Sequence, residues 1–188
     1  PLPLRAHPPG LDKHPPHQMG CSACHGGTGR ALEQVAAHGF PGSREVDVFH
    51  RQPHLQAACA RCHVPGDSPG MESLVRGANL YLELGCQVCH PLTGDGRGSW
   101  DFGPDLRASG RRSVKFLRSS LGYPSANFAQ STMPSFAVTF ENEPAALEDL
   151  VVFLESLVLP RAIGCDLRQR STALVRLPCA ACHAAGGK

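Results

Sequence analysis

The sequence predicts a mainly α-helical chain with extensive loop, and three observations lead there. Apolar residues recur at helical spacing in two stretches, Glu72 to Gly85 and Pro144 to Leu159. Glycine (20) and proline (17) make up about a fifth of the 188 residues, above the ordinary share of roughly 12%, so much of the chain is punctuated as turn and loop. Apolar content is 41% but aromatic content only 6%, while eight of nine cysteines repeat one short pattern. Side chains alone make a thin core, and something bound at those cysteines is expected to fill it.

Residues 1–70 carry no sustained helical or strand period and read as a loop-rich segment. It holds the six of the ten histidines that lie outside any Cys-x-x-Cys-His: His7, His14, His17, His38, His50 and His54. A weak duplication runs through it, since His14-Pro-Pro-His17 precedes Cys21 much as His50-Arg-Gln-Pro-His54 precedes Cys59. Val64-Pro-Gly-Asp-Ser-Pro-Gly70 reads as a linker. Beyond it Leu74, Val75, Ala78, Tyr81 and Leu82 form a stripe on a helix that delivers Cys86 and Cys89 at its end. A second stripe, Leu147, Leu150, Val151, Leu154, Leu157 and Val158, has Pro144 in its first turn and Pro160 to stop it. The expected organisation is 1–70 as a loop-rich segment with two cysteine motifs, 71–160 as a helical domain with one, and 161–188 as a tail with the fourth.

Charge and hydropathy exclude several classes. The formal charge is +2, and no run of Lys or Arg has the density of a nucleic-acid arm, so no nucleic-acid partner is expected. The most apolar stretch, Leu147 to Val158, is broken by Glu148, Asp149 and Glu155, so no transmembrane segment is expected. The sequence opens at Pro1, consistent with a removed signal peptide or anchor and equally with a trimmed end. Gly26-Gly27-Thr-Gly29 and Gly94-Asp-Gly96-Arg-Gly98 lack the Gly-Lys-Ser/Thr of a phosphate loop and read as turns.

The cysteines carry the chemistry. Cys21-Ser-Ala-Cys24-His25, Cys59-Ala-Arg-Cys62-His63, Cys86-Gln-Val-Cys89-His90 and Cys179-Ala-Ala-Cys182-His183 are four copies of Cys-x-x-Cys-His, the signature of c-type haem attachment. Two thiols three residues apart each add to one vinyl group of a porphyrin, and the next residue then lies under the iron as proximal ligand. A zinc site or a redox dithiol has no need for His after every second Cys. Four haem c are therefore expected on Cys21 and Cys24, Cys59 and Cys62, Cys86 and Cys89, and Cys179 and Cys182, with His25, His63, His90 and His183 as proximal ligands. Cys165 stands alone and receives no role. Covalent haem attachment takes place outside the cytoplasmic membrane, so a periplasmic or other extracytoplasmic location is expected.

Over 72–159 the sequence resembles a class I monohaem cytochrome c. The resemblance rests on Gly77-Ala-Asn-Leu80-Tyr81, Gly85-Cys86-Gln-Val-Cys89-His90, Gly103-Pro104-Asp105-Leu106, Thr132-Met133-Pro134-Ser-Phe136 and the closing helix, in that order. It implies Met133 as the sixth ligand opposite His90, the Pro104 carbonyl orienting the proximal ring, and Gly77 and Tyr81 packed on the last helix near Leu150 to Leu154. Over 14–63 the sequence resembles dihaem segments of multihaem subunits that accompany bc-type or related quinol-oxidising respiratory complexes, on His14-Pro15, Gly20 to Ala31, Ala37-His38-Gly39 and Leu55 to His63. That resemblance implies redox protein partners, a membrane respiratory complex among them, with membrane association through such a partner.

The distal candidates are Met133, His14, His38, His50 and His54, with His17 as competitor, a surplus over the four sixth positions. If all are filled, no iron is open to substrate. The expected function is electron transfer, with no catalytic residues. The rival is a small multihaem reductase or peroxidase with one open haem, the fourth being the place for it because 160–188 contains no other His and no Met.

Overall fold

The computed structural model describes residues 13–27, 31–38, 50–66, 69–90, 92 and 103–158. His7, Cys165, Cys179, Cys182 and His183 lie outside the described residues, as does the expected tail segment 161–188. The described structure is mainly helical with loops, and no strand occurs among the described residues. It divides into two units, one holding 13–38 together with His50, the other running from Arg51 onward.

The first unit consists of single helical turns: α1 Pro16–Met19, α2 Ser22–His25 and α3 Gln34–His38. None of α2 or α3 is buried, in keeping with the absence of an apolar period there. Backbone hydrogen bonding ties its sequence-distant parts, since His50 N–H donates to the His25 carbonyl at 2.7 Å.

The second unit is a helical bundle around α10, Pro144–Ser156. Before it come α4 Gln56–Cys59, α5 Glu72–Glu83, α6 Cys86–Cys89, a 3-10 turn Leu106–Arg111, α7 Val114–Gly122, α8 Pro124–Asn127 and α9 Ala137–Asn142. The packing places 51–66 with the segment that follows it, so the Cys59 motif shares a core with the Cys86 motif. The two expected helices form within three residues of their expected ends, because their apolar periods match 3.6 residues per turn.

Two details depart from the expected stripes. Leu82 is exposed, and the inward face of α5 is Leu74, Gly77 and Tyr81. On α10 every residue from Asp149 to Glu155 is buried, not one face alone, because α4, α5, α7 and the 3-10 turn surround it. Leu74, Leu150, Val151 and Val152 are the most deeply buried large side chains, each contributing about 1.5–3 kcal/mol of transfer free energy.

The α5–α10 crossing depends on Gly77. A Cβ there would collide with the Asp149 carbonyl and the Phe153 Cβ, so only glycine lets the two backbones meet. One turn later the Tyr81 and Phe153 rings pack at 5.4 Å and 51°. The packing of Gly77 and Tyr81 on the last helix is thus present.

α7 is capped by Ser113, whose Oγ accepts from Phe116 N–H at 3.2 Å, and turns Val114, Leu117 and Leu121 inward. Its end holds the loop that carries Met133: Phe136 N–H donates to the Leu121 carbonyl at 3.0 Å, and Ser135 Oγ–H to the Gly122 carbonyl at 2.5 Å.

Candidate haem-binding site

The three described motifs fold the same way. In each, the histidine N–H donates to the carbonyl of the first cysteine, four residues back: His25 to Cys21 at 2.9 Å, His63 to Cys59 at 2.9 Å, and His90 to Cys86 at 2.8 Å. One helical turn puts positions i, i+3 and i+4 on a common face, which is the arrangement that two thioethers and one axial imidazole on a single porphyrin require. No cluster of three His, Cys, Asp or Glu suited to a bare metal ion occurs among the described residues, and a haem iron, which takes one or two protein ligands, needs none.

The Cys86 motif is the most completely built. Leu84 ends α5, Gly85 adopts a left-handed φ of +71°, and the chain turns directly into α6. His90 is buried, and its Nδ1 lies 2.7 Å from the Pro104 carbonyl oxygen. A ring whose Nδ1–H is donated keeps its lone pair on Nε2, the tautomer a proximal ligand needs. Gly103 lies against the same ring, and a Cβ there would come within 2.5 Å of His90 Cε1. Tyr81 O–H donates to the His90 backbone carbonyl, and burial pushes the Tyr81 phenol up to about 12, so it stays a donor. Met133 is half-buried against the core, and its N–H donates to Ser131 Oγ at 3.2 Å.

His25 repeats this pattern in the first unit, with Nδ1 3.2 Å from the His50 carbonyl oxygen. The first unit gathers His14, His17, His38 and His50 with the Cys21 motif; His17 is exposed and the other three are half-buried. The backbone contribution of His50, a carbonyl that orients the His25 ring, has no sequence signal, because any residue supplies a carbonyl.

Among the described residues, His54 is the one spare histidine in the second unit. Its Nδ1 lies 2.5 Å from Glu155 Oε2, and its Nε2 lies 3.0 Å from Glu148 Oε2 and 3.4 Å from Arg118 Nη2. Arg118 grips the same Glu148 through Nε to Oε1 at 2.7 Å and Nη2 to Oε2 at 2.6 Å. Burial opposes charge on His54, but Glu155 and Glu148 outweigh it and hold its pKa above the ordinary value. Burial likewise raises Glu148, and Arg118 and His54 outweigh it, leaving that carboxyl below its ordinary value.

The remaining acid in the apolar run is also paired: Asp149 takes a bidentate bond from Arg76, at 2.6 Å through Nε and 3.0 Å through Nη2. Glu148, Asp149 and Glu155 entered the sequence reading only as interruptions of a hydrophobic stretch. Their partners lie 30 to 101 positions away, beyond the reach of any local pattern.

Against known proteins the chain stands alone: no family model, no curated protein and no solved structure matches it. The functional reading therefore rests on the motifs and their geometry. No helix among the described residues is long and apolar enough to cross a membrane.

Proposed function

We propose that the chain is a tetrahaem c-type cytochrome that carries single electrons between redox proteins outside the cytoplasm, as a subunit or close partner of a membrane quinol-oxidising respiratory complex. The observation that carries this reading is the turn shared by the described motifs, where the spacing Cys-x-x-Cys-His closes into one hydrogen-bonded loop with the histidine at its end. The bond from His90 Nδ1 to the Pro104 carbonyl supports it, because it fixes the ring as an axial ligand needs to be fixed. The residues present fit the group: paired thiols for attachment, an Nε2 lone pair for iron, and Met133 in a loop anchored to α7.

A bound haem supplies an iron that exchanges one electron between ferric and ferrous states, at a potential set by its axial ligands and surroundings. The protein's own part is to attach it, orient the proximal ring and occupy the sixth position. On this reading the class I-like domain spans 71–160, with Met133 opposite His90, and the sixth ligands of the remaining haems are drawn from His14, His17, His38, His50 and His54.

A pyridine haemochrome assay on the holoprotein should give four haem c per chain, and fewer than three would remove the reading. Electron paramagnetic resonance of the oxidised protein should show low-spin haems that do not respond to cyanide or nitrite. A stoichiometric high-spin signal that shifts on adding either would instead assign a small multihaem reductase or peroxidase.

A further inference from the structure

The segment that carries Cys59, Cys62 and His63 is fastened to the second unit at more than one point. Gln56 is buried, and its Oε1 accepts from Ser73 N–H at 2.8 Å and Leu74 N–H at 3.3 Å, capping the first turn of α5 from another part of the chain. Ala57 and Ala60 lie in the core, and Cys59, Cys86 and Met133 each pack against it. Two residues before Gln56, the His54 ring closes the second fastening, between Glu155 and Glu148 of α10, the latter held in turn by Arg118 of α7.

The chemistry of that ring separates two roles. An axial ligand presents a nitrogen lone pair to iron and donates, at most, through the other nitrogen. Each ring nitrogen of His54 instead faces a carboxylate oxygen of α10, and Arg118 Nη2 also lies 3.4 Å from Nε2. Both nitrogens are therefore engaged by side chains of the second unit, and an iron would have to displace one of those partners. Releasing one would strip a partner from Glu155, which is itself buried.

We propose that His54 is a positioning residue rather than an iron ligand: with Glu155, Glu148 and Arg118 it locks the Cys59 motif onto the core that also carries the Cys86 motif, so that the two haems sit in a relation fixed by the fold. This rests on the reading of Cys59 and Cys62 as a haem attachment site, and deepens it by removing His54 from the distal candidates. A fixed relation keeps the surroundings of the second haem constant, and those surroundings help set its potential. A shared signature follows for His54 and Glu155, since they act through one bond.

The test compares holoprotein variants His54→Ala, Glu155→Gln and the double variant by spin state, redox titration and thermal unfolding. The expected result is low-spin haem throughout, as in the parent, with one redox step moved while the others overlay, the same step moving in Glu155→Gln. The double variant should melt no lower than the weaker single, because two residues of one contact are not additive. A high-spin haem in His54→Ala that added imidazole restores, and that Glu155→Gln lacks, makes His54 a ligand and overturns the proposal. Redox titrations and melts that overlay the parent overturn it too. Should His54→Ala fail to fold, Glu148→Gln with Glu155→Gln gives the same comparison. Peptide mass analysis of the parent shows separately whether Cys59 and Cys62 carry haem; without it the function reading fails for that motif, while the melting cycle still decides the clamp.

Discussion

Met133 is the side chain on which one potential should depend. A thioether opposite imidazole raises the potential of a haem relative to two imidazoles, so on the proposed tetrahaem reading Met133→His is expected to lower the redox step of a haem on Cys86 and Cys89 and leave the other three nearly unchanged. A spectroelectrochemical titration that overlays the parent would show that Met133 is not a ligand. The surrounding residues make the substitution a clean one: Met133 is only half-buried, and its loop is held by Ser135 and Phe136 on α7 rather than by the Met133 side chain. At this scale the sequence was most legible where chemistry depends on spacing. Cys-x-x-Cys-His announces itself, and so does Pro104 beside Gly103. The partners of His54 were not legible, because Glu148 and Glu155 stand 94 and 101 positions further along the chain.

Among the elements, α5 takes its start from Gln56, a residue sixteen positions ahead of Glu72 on a separate turn of chain. Replacing Gln56 by Ala leaves the Ser73 and Leu74 N–H groups buried without that acceptor, and a stability loss of about 1–3 kcal/mol is expected. Denaturant unfolding of the holoprotein checks this, with haem content unchanged as the control. A loss below about 0.5 kcal/mol, the low end for a helix cap, would mean that water replaces the cap. α5 and α10 were legible because each has a long apolar period. α7 was missed, although Ser113 followed by Val114, Leu117 and Leu121 gives a cap and an i, i+3, i+7 row that marks it. The one-turn helices α1 to α4 carry too few residues for any period, and their hydrogen bonds alone define them. The burial of α10 on all sides was hidden by Asp149 and Glu155, which look like a polar face until Arg76 and His54 are placed beside them.

For the molecule as a whole, the charges around α10 set a pH window. The pKa of His54 lies above 6.5, so its contribution is fully present below that value and is lost as pH rises through the folded one. The pKa of Glu148 lies below 4.5, so its contribution is present above that value and is lost as pH falls through the folded one. The melting temperature of the holoprotein should therefore plateau between about 4.5 and 6.5 and fall on either side, other groups aside. His54→Ala should flatten the alkaline fall and Glu148→Gln part of the acid fall; unchanged limbs in both would show that this cluster does not govern the window. The same cluster also has a place in time. His54 waits for partners 94 and 101 positions further along the chain, and a chain that emerges N-terminal end first makes its distant contacts last. Until α10 exists, the turn bearing Cys59 and Cys62 is held only through Gln56 at the start of α5. The long loop closed by His54 and Glu155 thus places the final fixing of this turn after the last helix has formed.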